Sequence, residues 1–82
     1  MIEISDHARK AMADDDITEA EVKICLTQGE LEIKQFVNRE MRYGTKLELK
    51  DKTIMVIYTL HEKVERVITA YVIRRKKWRQ NE

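Results

Sequence analysis

Two kinds of side chain in this 82-residue sequence can act together on a phosphate. The first is cationic. Arg42, Lys46, Arg66, Arg74 and Arg75 fall on stretches that read as neighbouring strands, and a guanidinium fork fits phosphate oxygens better than any other side chain. The second moves protons: His7 in the first turn of an expected helix, His61 in an expected turn beside Glu62, and Tyr71 on the last strand. The segment RRKKWR adds Lys76, Lys77, Trp78 and Arg79, and an indole set among cations suits stacking on the bases of single-stranded nucleic acid. Each has a plainer reading beside it. Arg42 and Lys46 can be the wet face of a strand, and RRKKWR a solvated end. His7 can pack over Ala11 or bond locally, Tyr71 can be packing, and Trp78 can fold back over the sheet edge.

Other chemistries fail on count or spacing. Two histidines and one cysteine, none at ligand spacing, make no zinc site, and the run Asp14 to Asp16 lacks the glycine and terminal glutamate of a calcium loop. Two glycines allow no phosphate-cradling loop. Neither metal nor cofactor is expected. Cys25 falls beside Val22 and Leu26 on the apolar face of a helix and reads as buried packing rather than a nucleophile. Charge is unevenly spread although the total is only +1. Residues 1–33 hold nine acids and three bases, residues 34–82 hold thirteen bases and six acids, and such a division points to a basic working surface. No apolar run is long enough to cross a bilayer, and MIEISDHARK lacks the apolar core of a secretory signal. A cytoplasmic protein of one domain, residues 1–82, without membrane contact, is the expectation.

The elements that must position these groups follow from periodicity. Ile2 and Ile4 alternate with Glu3 as a short strand; Ser5 then caps a helix with Ala8, Ala11 and Met12 on one face, fading at Asp14 to Asp16. Thr18 and Glu21 form a T-x-x-E capping box, and Gly29 stands where a left-handed C-terminal cap belongs, so a second helix spans 19–28. Period two then takes over at Leu31 and Ile33, through 41–49, and in the apolar runs 53–60 and 64–73. The fold class expected is α+β: a short N-terminal strand and two helices packed on one face of a four-stranded antiparallel meander. The open face then presents Lys34, Arg42, Lys46 and Lys50. With Val64, Ile68, Ala70 and Val72 turned to the helices, it also presents Thr69, Tyr71, Arg75 and an apolar strip of Met55, Ile57, Val67 and Ile73. A strip of that size needs a cover. Gly44, inside a strand, marks a bulge or a close approach of another backbone, and residues 76–82 read as a flexible basic tail.

ISDHARKAM, the ITEAEV helix start, a basic strand and the terminal RVITAYVIRRKK together resemble the family of domain of unknown function 4258. More distantly they are similar to BrnT-type toxins and to the RelE/ParE superfamily with its β-α-α-β-β-β layout. The resemblance implies a small toxin-like domain that binds or cleaves RNA without metal through the open face of its sheet. Such a cut needs a base for the ribose 2′-hydroxyl, cations around the phosphorane and a proton donor for the leaving oxygen. His7, Arg42, Lys46, Arg66 and Tyr71 are the candidates for those roles, and Lys34, Arg74, Arg75, Lys76, Lys77, Trp78 and Arg79 for RNA contact. An antitoxin-like protein or a second copy is the expected cover of the apolar strip. Two other classes stay open: a non-catalytic RNA- or protein-binding module, and a homodimeric structural domain.

Overall fold

The computed structural model describes residues 1–73. Arg74, Arg75, Lys76, Lys77, Trp78 and Arg79, and with them the reading of 76–82 as a tail, lie outside the described residues. The order of elements is β1 (Ile2–Ile4), α1 (Asp6–Asp14), α2 (Glu19–Gln28), β2 (Glu30–Val37), β3 (Glu40–Glu48), β4 (Thr53–His61) and β5 (Val64–Ile73). One mixed sheet runs β1-β5-β4-β3-β2, with α1 packed on β5 and α2 on β3 and β4. The expected four-strand meander is there, but the N-terminal strand joins it as a fifth, parallel to β5, with Ile2 beside Glu65 and Ile4 beside Val67. Ile2 and Ile4 gain burial against the core by doing so.

Both helices are fixed at their N-termini by the residues the sequence singles out. Ser5 Oγ accepts from the Ala8 amide at 3.1 Å, and in the capping box Thr18 Oγ1 accepts from Glu21 while Glu21 Oε1 accepts from the Thr18 amide at 3.0 Å. Lys52, in the turn after β3, reaches Glu21 at 3.1 Å and the Asp16 carbonyl at 2.7 Å, clamping the link between the helices. The Thr18 amide, then Lys52, hold the Glu21 carboxyl below its ordinary 4.5. A depressed folded-state pKa contributes stability above the unfolded value, and that contribution disappears as pH falls through the folded one. Glu21→Gln keeps the capping acceptor but loses the charge, so its urea midpoint falls below the parent's at pH 7 and meets it at pH 3. Thr18→Ala, by contrast, costs about 1 kcal/mol at either pH.

Gly29 departs from expectation. It ends α2 with φ −76°, an extended conformation open to any residue, so no left-handed cap explains it. Its reason is space: a Cβ there would stand 2.6 Å from the Cys25 and Lys46 carbonyl oxygens and from Thr45 Cγ2. Cys25 below it is fully buried, its thiol donates to the Thr45 carbonyl, and burial pushes its pKa up to about 11.

Cross-strand partners share a face, so the pairing register assigns each side chain. Ile54, Val56, Val67 and Ala70 form the core with Ala8, Met12, Ile17, Val22 and Cys25, which makes the even residues of β4 and the odd ones of β3 the helix side. Along β5 the parity changes once. Ile57 pairs with Thr69 but Tyr58 pairs with Val67, so Ile68 is an extra residue, a β-bulge. Above it Ala70 and Val72 face the helices as expected. Below it the phase is reversed: Val67 enters the core at 0% exposure, whereas Val64 and Arg66 turn to the open face.

Of the expected apolar strip, Met55, Ile57 and Ile73 do lie on the open face, and Val67 does not. Val67 is core, Met55 is 7% exposed between Lys46 and Tyr71, and Ile57 and Ile73 are half-buried. Lys34 is also displaced. A second bulge, between Leu31 and Ile33, shifts β2 so that Lys34 pairs with Tyr43 on the helix side, away from Arg42 and Lys46. Gly44 stands opposite this bulge, paired with Ile33 at the register shift, and what approaches it is no other backbone but the side chains of Ile33 and Ile57, at 2.9 and 3.0 Å from where a Cβ would be.

Candidate active site

On the open face one lateral row runs Gln35, Arg42, Thr59, Arg66, Glu3 across five strands. Strands lie about 4.8 Å apart, so the Arg42 and Arg66 backbones stand roughly 10 Å from each other with Thr59, itself buried, between them. Two flexible side chains at that spacing converge on one anion. Neither makes an ion pair with a described carboxylate; the pairs formed are Arg9–Glu19, Lys46–Glu32 and Lys52–Glu21. The Nε of Arg42 is shielded from solvent and has no hydrogen-bond partner. A donor in that state costs about 1–3 kcal/mol, which an incoming acceptor would recover.

His7 reaches the same place by a different route. The Ser5 amide donates to the Val67 carbonyl at 3.2 Å and Ser5 Oγ to the Ile68 carbonyl at 3.4 Å, tying the start of α1 to the β5 bulge. His7, exposed and one residue into the helix, then lines a cavity of about 240 Å³ together with Ser5, Glu40, Arg42, Thr59, Arg66, Val67 and Ile68. Three of the five expected catalytic residues, His7, Arg42 and Arg66, thus meet in one cavity. The bulge brings Arg66 there, since regular pairing would aim it at the helices.

Lys46 and Tyr71 do not join them. They flank Met55 on the same face, four strand residues and about 13 Å from the arginine row. Lys46 is engaged by Glu32 at 3.8 Å. Between the two rows lie Ile33, Gly44, Ile57 and Thr69. Sequence reasoning missed Glu40, Thr59 and the tethering role of Ser5. Thr59 carries no signal within an apolar strand, and Glu40 could have been found only by recognising Asn38–Arg39 as a two-residue hairpin turn.

Residues 4–72 match a family model described as Domain of unknown function (DUF4258), a span that contains every residue of this cavity. No curated protein and no solved structure matches the chain. Among the described residues no helix is long and apolar enough to cross a membrane.

Proposed function

We propose, for a chain that belongs to the family of domain of unknown function 4258, that its open sheet face binds single-stranded RNA and cleaves it at a phosphodiester held by Arg42 and Arg66. One observation carries the reading: two guanidiniums, neither ion-paired to a described carboxylate, line one cavity with an imidazole. The arginines hold the non-bridging oxygens and stabilise the charge that grows on them in the transition state. His7 acts on the 2′-hydroxyl, which attacks phosphorus and leaves a 2′,3′-cyclic phosphate and a free 5′-hydroxyl. Lys46 and Tyr71, two rows away, contact the strand as it continues over the face, by charge and by stacking.

Purified protein is expected to shorten single-stranded RNA with those two end groups, at the same rate with and without EDTA. The Arg42–Arg66 pair, holding one phosphate, contributes a log-affinity against log-salt slope of about −0.7. RNA bound but left intact would remove the cleavage step and leave a binding module. Cleavage that stops with chelator would overturn the roles given to these side chains.

A further inference from the structure

The cavity that holds His7 adjoins a second, of about 380 Å³, lined by Glu3, Glu40, Thr59, His61, Glu62, Val64 and Arg66. Glu40, Thr59 and Arg66 belong to both. His7 and His61, fifty-four residues apart and the sequence's two histidines, therefore stand on either side of one arginine.

The chain holds His61 there at a conformational cost. His61 pairs with Val64 across a two-residue turn whose members, Glu62 and Lys63, have φ of 49° and 70°. The neighbouring hairpin closes the same way, Val37 with Glu40 across Asn38 and Arg39 at 51° and 68°. Left-handed conformation is easy for glycine and tolerable for asparagine, but Arg39, Glu62 and Lys63 are neither. These two strained turns put Glu40 and His61 at the mouth of the shared wall, and strain of this kind concentrates where geometry serves function.

Resting on the reading of the cavity as an RNA-cleaving site, we infer that His61 is a second catalytic residue, the acid that protonates the leaving 5′-oxygen. In-line displacement places the attacking and leaving oxygens on opposite sides of phosphorus, so one group cannot serve both in a single step. His7 takes the proton of the 2′-hydroxyl; the 2′-oxygen forms its bond to phosphorus. The bond from phosphorus to the 5′-oxygen breaks, its electron pair stays on that oxygen, and a proton from His61 completes the 5′-hydroxyl. Exchange with water restores both imidazoles. The assignment of sides follows from the lining. Glu3 and Glu62 line the cavity of His61 and not that of His7, and as ionised carboxylates they can only accept from an imidazole N–H, whereas Arg42 lines the cavity of His7 and not that of His61, and Glu40 lines both.

Two substrates with the same attacking group and different leaving groups separate the roles: uridylyl-3′,5′-adenosine and uridine 3′-(4-nitrophenyl phosphate). Nitrophenolate departs without a proton, so loss of the acid affects only the dinucleotide. His61→Ala is expected to slow dinucleotide cleavage by about 10²-fold or more and nitrophenolate release by less than threefold, whereas His7→Ala slows both by about 10²-fold. His61 is exposed, and retained nitrophenolate release certifies the fold of its variant. Equal loss on both substrates, or none on either, would overturn the role of His61 while leaving the site intact. A parent protein inactive on both would bring down the site itself and this inference with it.

Discussion

On the proposed function, Arg66→Ala is expected to lower the rate of RNA cleavage by about 10²- to 10³-fold while weakening RNA binding by less than tenfold. The inequality follows from where the charge is. Bound RNA presents one negative charge per phosphate, which other cations on the face also contact. The phosphorane presents a second only as the 2′-oxygen attacks, and it sits between Arg42 and Arg66. Arg66 is exposed and forms no described ion pair, so its removal spares the fold. Arg66→Lys restores a point charge without the fork and recovers only part of the rate. Arg42→Ala gives a similar loss of rate with unchanged or raised stability, because it also removes a buried donor that bonds to nothing. The double variant falls well short of the product of the two single losses, as expected of groups acting on one oxygen pair. Single-turnover rates and filter-binding constants measured on the same RNA check all three. Proportional losses in rate and binding would assign both arginines to docking.

Gly29→Ala is the most damaging small substitution in the described chain, lowering stability by about 3 kcal/mol or more. Three atoms stand 2.6 Å from the added methyl: two are main-chain carbonyl oxygens, of Cys25 in α2 and Lys46 in β3, and the third is Thr45 Cγ2. None is the free end of a long side chain, so relief requires the end of α2 to lift from β3. That movement would also loosen the bond from the Cys25 thiol to the Thr45 carbonyl. For a domain of this size the loss is a large share of the total. Urea unfolding followed by circular dichroism gives the number. At Gly44 the crowding atoms are mostly the tips of Ile33 and Ile57, which can turn aside, and Gly44→Ala costs less.

What the sequence discloses about this protein follows from how local the signal is. The capping box at Thr18 and Glu21 fixes α2 to the residue, and 64–73 is the observed β5 without adjustment. Both rest on contacts within a few positions. The parallel pairing of β1 with β5 joins residues more than sixty apart, and nothing in Ile2–Ile4 announces its partner. The two bulges are harder still. Neither contains glycine, the usual mark, so β2 was legible only as far as Ile33 and the phase of β5 was read straight through. For the site, residue type sufficed to single out His7, Arg42 and Arg66, but their meeting depends on Ser5 tethering the helix to a bulge. The bulge in β5 takes Val67 out of the expected apolar strip, and the separate bulge in β2 displaces Lys34.

The bulge at Ile68 makes the lower half of β5 a reading frame of its own. Pairing straight through Ile68, with no bulge, would carry Arg66 inward against the helices and push Val67 out to solvent, whereas deleting Ile68 would make the pairing regular and leave both residues on their present faces. The arginine row and the hydrophobic core are thus coupled by the register of one strand rather than by any side chain. A substitution scan, however complete, is blind to that coupling. Deletion of Ile68 is its natural probe: a variant that folds with Arg66 still exposed and Val67 still buried would show that the place of one extra residue, and no contact of its side chain, sets the two faces of β5.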